Sequence, residues 1–343
     1  MQQFIDLTPS EQNELILRTS SATKISPLLL EKDFWVSWLL NKLFQMDLSK
    51  HLIFKGGTSL SKCYGMISRF SEDCDITIDK SLFSEGTDND MLSGKQFQKL
   101  LEINDRKAAG FVHTILKTEI EKTIKNSLKP GLEWRVVIDD YEPKNLRFVY
   151  PSAVKLEENF YIKQSVLIEM GIRGDISPWE EKTVKSYIEE QFPELLKPEC
   201  AVIRTLSPVR TFWEKVTLLH AENNRPKDKS TGDRLSRHYY DLYKILHTDI
   251  PEKAFEDLSL LKDVIDNKKR YFRSAWAHYE KAIPGSLKIT PQTHLLEFLE
   301  ADYQKMSLMI FGEIPKFNEI INAIQSFEEK FNQLKLPSSC VDF

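Results

Sequence analysis

Two acidic residues on one face of a short strand constrain this chain more than any other feature. Residues 71–79 (SEDCDITID) alternate polar and apolar side chains with the period of a β-strand. Asp73 and Asp75 therefore project from the same face, where their charges repel each other unless a cation lies between them. A hard divalent ion that prefers oxygen ligands suits such a pair.

A glycine-rich turn precedes this strand. An apolar run over residues 52–54 ends near Gly56 and Gly57, which are followed by Thr58. Glycine lets the backbone approach a ligand closely, and the free N–H groups that open a helix favour anions such as phosphate. Because the turn lies about fifteen residues before the acidic pair, the two together predict a triphosphate–magnesium site for nucleotidyl transfer.

The order of these features resembles the signature of the DNA polymerase β-like nucleotidyltransferase superfamily. The longer string KGGTSLSKCYGMISRFSEDCDI, residues 55–76, is similar to the AbiEii/AbiGii toxin family, nucleotidyltransferases of toxin–antitoxin and phage-defence systems. The strings LEKDFWVSWLL, FWEKVTLLH and RHYYDLY resemble further parts of that family. The resemblance extends over roughly residues 27–247, and Gly57-Thr58 replaces the usual Gly-Ser.

The resemblance implies roles for the residues of the central string. Asp73 and Asp75 are expected to bind Mg²⁺. The backbone turn at Gly56, Gly57 and Thr58 is expected to contact the triphosphate. Ser71 lies two residues before the first aspartate. It either donates a hydrogen bond to a phosphate oxygen or caps the turn.

Related nucleotidyltransferases use a third carboxylate on a neighbouring strand. Glu169 is the best candidate because it interrupts an apolar run over residues 166–172. An ionised side chain in such a run is costly unless a metal or a substrate hydroxyl compensates it. The alternatives are a glutamate that reaches water at a strand edge, or a third carboxylate from Asp139 and Asp140.

Three further residues are candidates for binding or positioning the nucleotide. Arg69 either counters triphosphate charge or pairs with Glu72 or Asp73. Lys215 lies beside the apolar stripe of a predicted helix and either reaches water or balances the γ-phosphate. Asp241 either forms a salt bridge within its helix or, as the resemblance implies, positions lysine and arginine side chains near the nucleotide. Arg173 is a weaker candidate of the same kind as Arg69.

Length and periodicity predict an α+β fold with two domains. We expect a nucleotidyltransferase domain with a mixed sheet and N-terminal helices over residues 1–200, and a mostly helical domain over 201–343. In the first domain the patterns predict helices over 8–47, 95–128 and 178–196 and strands over 131–172, with Glu31, Lys32 and Asp33 as a solvated helical turn.

Composition indicates a soluble, cytoplasmic protein. The chain has a net charge of −4, four scattered cysteines without a CxxC pair, and neither a secretory signal nor an apolar run of membrane-spanning length. Residues 201–247 carry a local net charge of +4. This segment is a candidate for binding the triphosphate or an RNA backbone.

The sequence therefore predicts a Mg²⁺-dependent nucleotidyltransferase that moves NMP from an NTP to an acceptor hydroxyl. The resemblance implies a toxin of an AbiE-type (type IV) toxin–antitoxin or phage-defence system that acts on tRNA and has an antitoxin encoded nearby. Two alternatives remain open at this stage. One is NMP transfer to a protein hydroxyl, and the other is a catalytically silent nucleotide-binding module.

Overall fold

The computed structural model describes residues 1–83, 94–154, 163–197 and 200–334. Residue contacts divide the chain into two compact units. The first comprises residues 1–63 and 71–206, and the second comprises 64–70 together with the residues from Ser207 onward.

A seven-stranded mixed sheet forms the first unit, in the order β3-β4-β5-β2-β1-β7-β6. Its strands are β1 (Leu52–Lys55), β2 (Asp73–Ile78), β3 (Arg135–Ile138), β4 (Leu146–Val149), β5 (Ser165–Gly171), β6 (Trp179–Lys182) and β7 (Ile203–Leu206). The acidic strand β2 lies near the middle, antiparallel to β1 and parallel to β5. The predicted α+β class is therefore confirmed, with β2 held on both edges by neighbouring strands.

Among the described residues of the first unit, the α-helices are α1 (Gln2–Ile5), α2 (Pro9–Thr23), α3 (Pro27–Leu43), α4 (Gly56–Lys62), α5 (Gly94–Phe111), α6 (Lys117–Ser127) and α7 (Tyr187–Gln191). A wide helical turn over Val112–Leu116 joins α5 to α6, so the helical conformation continues from one to the other, in agreement with the helix predicted over 95–128. Helix α3 is buried along nearly its whole length, and its Trp35 and Trp38 pack on Phe148 of β4. These aromatic contacts pack the helix onto the sheet.

The three charged residues at the start of α3 are buried, so their prediction as a solvated turn is wrong. Glu31 accepts hydrogen bonds from the backbone of residues 153 and 154, and Asp33 pairs with Lys62 at 2.8 Å. Lys32 donates to Glu72 at 2.5 Å. Because each charge has a partner, burial is tolerated, and the Lys32–Glu72 pair anchors the chain one residue before Asp73.

The helix predicted over 178–196 is also wrong. Residues 179–182 form β6, which pairs antiparallel with β7 at the edge of the sheet. Ser186 then caps the short α7, and its side chain accepts from the backbone N–H of Glu189. The amphipathic pattern, interrupted by a capping serine, fits two structures equally well: one long helix, or a strand followed by one helical turn. Pairing of residues 179–182 with β7 favours the strand.

The second unit is helical. Its helices are α8 (Pro208–Asn223), α9 (Ser236–Leu246), α10 (Ile250–Glu256), α11 (Ser259–Tyr271), α12 (Thr293–Ser307) and α13 (Phe317–Asn332). Helix α9 packs against α8, α10, α12 and α13. Residues 64–70 run alongside the segment after α12, where the N–H of Phe70 donates to Met309 and that of Phe311 donates to Ser68.

No helix among the described residues has the length and apolar character needed to cross a membrane. The three cysteines within the described ranges, Cys63, Cys74 and Cys200, carry free thiols. Cys340 lies outside the described residues.

Candidate active site

The acidic face of β2 is formed as the alternation predicts. Cys74, Ile76 and Ile78 are buried on one side of the strand, while Asp73 and Asp75 on the other side are partly exposed. Burial raises the pKa of the Cys74 thiol well above its usual value, and the two adjacent carboxylates raise it further. The Cys74 thiol is therefore uncharged and packs in the core, whereas both carboxylates are accessible to a ligand.

The first glycine of the turn is required by Asp75. Gly56 adopts a left-handed backbone conformation, with φ of 81°, at the junction of β1 and α4. A Cβ atom at this position would lie 1.8 Å from Oδ2 of Asp75. The carboxylate thus lies directly against the turn backbone, in space that only glycine leaves open.

Replacement of Gly56 by alanine is expected to displace Asp75 and to lower the nucleotide transfer that the sequence predicts by about a hundredfold or more. The clash and the left-handed backbone should also cost on the order of 2 kcal/mol or more. Gly65→Ala is the matched control, because Gly65 has φ of 62° with nothing within 4 Å of the added Cβ. Thermal melts and transfer assays on both variants test this, and equal effects would contradict the role assigned to Gly56.

The sheet register aligns three charged residues across neighbouring strands. Asp75 lies opposite Lys55 of β1 and beside Glu169 of β5. Residues in register project from the same face of a sheet. Glu169 is exposed, so the argument that its charge needs compensation for burial is wrong, although its register places it next to Asp75.

Lys55 is a candidate that sequence reasoning missed. It lies directly before the two glycines, and its Nζ and the hydroxyl of Thr77 both lie close to Gly174. Thr77 is on the same face as Asp75, and its buried hydroxyl has no hydrogen-bond partner among the described residues. The sequence shows a lysine at the end of the apolar run, but only the pairing of β1 with β2 brings it opposite Asp75.

The acidic face suits a hard cation by its donor chemistry. Two carboxylates on one strand face, with a third carboxylate in register, offer the oxygen ligands that Mg²⁺ prefers. Within the described ranges, no three or more His, Cys, Asp and Glu side chains come together as a complete metal-binding group. Participation of Glu169 as a third ligand therefore stays a prediction.

Thr58 and Ser71 connect the turn to β2. The Thr58 hydroxyl is buried and donates to the main-chain carbonyl of Asp73 at 2.6 Å, with the Ser71 hydroxyl 2.8 Å away. The Thr58 side chain thus fixes the turn against the start of the acidic strand. Contact between phosphate and the backbone N–H groups of Gly57 and Thr58 remains a prediction.

A buried charge cluster lies within the second unit. Asp241 of α9 accepts a bidentate pair of hydrogen bonds from Arg69, with Nε 2.7 Å from Oδ1 and an Nη nitrogen 2.8 Å from Oδ2. Lys215 of α8 donates to Oδ2 at 2.8 Å. All three side chains are almost fully buried. The cluster joins residues that are 172 positions apart in the sequence.

The cluster holds Asp241 in its ionised form. Burial by itself would raise the pKa of Asp241, but the charges and hydrogen bonds of Arg69 and Lys215 bring it well below the usual value. Burial lowers the pKa of Lys215, against the charge of Asp241. With two cationic side chains and one carboxylate, the cluster carries a net positive charge.

The remaining acidic and basic candidates have structural partners. Asp139 pairs with Arg147 at 2.7 Å and accepts from the backbone N–H groups of residues 141 and 142, which makes it a turn residue at the end of β3. Arg173 forms an ion pair with Asp105. Asp140 is exposed.

Comparison with solved structures gives the same fold. The chain is similar to "MenT4, nucleotidyltransferase toxin Rv2826c from Mycobacterium tuberculosis H37Rv", with a TM-score of 0.52 and 17% sequence identity. The match covers 96% of this chain and 91% of that chain. Comparison with curated protein sequences gives no match.

Comparison with family models is more specific. The model described as "Nucleotidyl transferase AbiEii toxin, Type IV TA system" matches residues 38–333, which include the acidic strand, the glycine turn and both members of the buried charge cluster on α8 and α9. The resemblance found in the sequence is therefore confirmed. This chain belongs to the AbiEii family of nucleotidyltransferase toxins of type IV toxin–antitoxin systems.

Proposed function

We propose that this toxin transfers NMP from a Mg²⁺-bound NTP to a hydroxyl of an RNA acceptor, with tRNA as the target class. One observation carries the proposal: Asp75 lies against the Gly56 backbone while in register with Lys55 and Glu169. This arrangement brings carboxylates, a cation and a close-approach backbone together on one face of the central strands, and an NTP–metal substrate needs all three.

The proposed roles follow from the chemistry of each group. Asp73 and Asp75, with Glu169, would hold Mg²⁺, which when bound withdraws negative charge from the triphosphate and orients it. The backbone of Gly56, Gly57 and Thr58 would contact phosphate oxygens. The ammonium of Lys55 would reduce the repulsion between the acidic face and the incoming triphosphate.

The reaction is an in-line displacement at the α-phosphorus. The acceptor hydroxyl oxygen forms the new bond to phosphorus, the bond to the bridging oxygen breaks, and pyrophosphate leaves. If Glu169, exposed beside Asp75, is not a metal ligand, it would be the base that accepts the hydroxyl proton. In the second unit, nucleotide binding by Arg69 and Lys215, with Asp241 as the residue that positions both, stays a prediction.

The experiment supplies each α-³²P-labelled NTP in turn, with Mg²⁺, to the protein mixed with total tRNA or with a protein lysate. Label is expected in the RNA fraction and to depend on the divalent ion. Label in protein bands would instead support transfer to a protein hydroxyl. Absence of label with all four NTPs in both mixtures would contradict transfer altogether.

A cognate antitoxin is the expected partner, since the family is one of type IV toxin–antitoxin systems. The antitoxin would restrain the effect of the toxin in the cell. The transfer assay uses the toxin alone. A cytoplasmic location accords with a target among tRNAs.

A further inference from the structure

A basic, aromatic surface lies in the second unit, where part of the basic segment 201–247 meets a later stretch to which the sequence analysis assigned no role. It comprises residues 225–229, after α8, and residues 268–276, at the end of α11; we call it the Trp276 surface. Residues 268–276 contain four cationic and three aromatic residues and no acidic residue. The wider segment 248–343 has more acidic than basic residues, so this positive charge is a local concentration.

Trp276 joins the two segments of this surface. The Arg225 guanidinium lies 4.4 Å from the centre of the Trp276 ring, and the Lys229 ammonium lies 5.8 Å from it. Arg225 is held in place by two hydrogen bonds of 2.7 Å to Glu222. A cation over a ring face at these distances is attracted to it, so the contact fixes the side chains in a defined arrangement.

The end of α11 repeats the same pairing. Lys268 lies 4.8 Å from the ring centre of Phe272, and Arg270 lies 5.8 Å from that of Tyr271. Phe272 is 40% exposed, while Lys269 and Arg273 are exposed. Acidic residues are present but few: Asp266 lies 3.3 Å from Lys269, and Asp228 lies within the first segment.

We infer that the Trp276 surface binds single-stranded RNA of the acceptor, and this inference rests on the RNA acceptor of the proposed function. Cations contact the phosphate backbone, while an exposed aromatic ring such as that of Phe272 stacks on an unpaired base. An acidic protein segment would use the charges but gains little from the exposed ring. The combination of both features therefore favours RNA over a protein partner.

The experiment measures fluorescence anisotropy of a labelled single-stranded oligoribonucleotide of about twelve nucleotides, titrated with the full chain in the absence of NTP. The Lys269→Gln/Arg273→Gln variant is expected to bind about tenfold more weakly or worse, and its log K against log salt slope should be smaller by about 1.4. Phe272→Ala is expected to weaken binding about fivefold or more. Lys305→Gln/Lys330→Gln, exposed lysines of α12 and α13, is the control with the same change of charge.

Several outcomes would overturn the inference: no RNA binding by the wild-type protein, equal losses in the test and control pairs, or no effect of Phe272→Ala. A polyglutamate peptide that binds as tightly as RNA and is weakened equally by the Lys269/Arg273 pair would assign the surface to an acidic protein partner instead. Because no NTP is present, binding is separate from transfer. A protein that binds RNA here but transfers no NMP contradicts only the proposed function.

Discussion

Replacement of Asp75 by asparagine is expected to reduce nucleotide transfer about a thousandfold or more while the protein stays folded. Asparagine keeps the shape of the side chain beside Gly56 but removes the negative charge that a divalent ion requires. Because Asp75 is partly exposed, loss of its charge should leave packing intact. Asp73→Asn is expected to behave in the same way, since it removes the other carboxylate of the face.

The measurement is incorporation of α-³²P-labelled NMP into RNA, together with a thermal melt of each variant. Asp47→Asn is the matched control, at an exposed aspartate of the same unit that has no role in the site and should transfer as the wild type does. Transfer that survives in Asp75→Asn would refute the metal role. A large fall in the melting temperature of these variants, together with the loss of transfer, would show that the acidic pair supports the fold.

The second large effect is expected for Asp241→Ala, which should destabilise the protein by about 3–5 kcal/mol. The substitution leaves Arg69 and Lys215 buried without their shared carboxylate, and an uncompensated buried charge is among the costliest changes. Asp249→Asn breaks an exposed pair with Lys253 in the same unit and should leave stability near that of the wild type. Urea unfolding curves of the two variants test this, and similar midpoints would contradict it.

The same carboxylate predicts a pH dependence with a definite sign. Its pKa is lower in the folded protein than in the unfolded chain, so the unfolded state takes up the proton first on acidification. The stabilisation is complete above the unfolded pKa of about 4 and is lost as the pH falls below it. Unfolding free energies measured between pH 6 and pH 3 should decline more steeply for the wild type than for Asp241→Asn.

The site could be predicted where local pattern decides the structure. The alternation in 71–79 identified the acidic face, and the glycines identified the turn against which Asp75 lies. The order of strands is a long-range property, however. That Lys55, Asp75 and Glu169 are aligned depends on β1, β2 and β5 being neighbours, and no local pattern states which strands pair.

The errors have physical causes of the same kind. Glu31, Lys32 and Asp33 look solvated because charges usually are. Their burial is made tolerable by partners that are distant in sequence: the backbone of residues 153 and 154, Glu72 and Lys62 respectively. For Asp241 the sequence left open a salt bridge within its helix or, from the resemblance, the positioning of lysine and arginine side chains. The structure pairs it with Arg69 and Lys215, and the position of Arg69 in the second unit could not be read from its neighbours in sequence.

Residues 64–70 belong to the helical unit although they are encoded far ahead of it, and this affects the timing of synthesis. Arg69 leaves the ribosome 172 residues before its partner Asp241, a delay of roughly 10–30 seconds at usual translation rates. We expect that the helical unit completes its native contacts only after most of the chain has been made. A fragment beginning at Ser207 would lack the arginine, and adding a peptide of residues 64–70 would be the natural way to restore it.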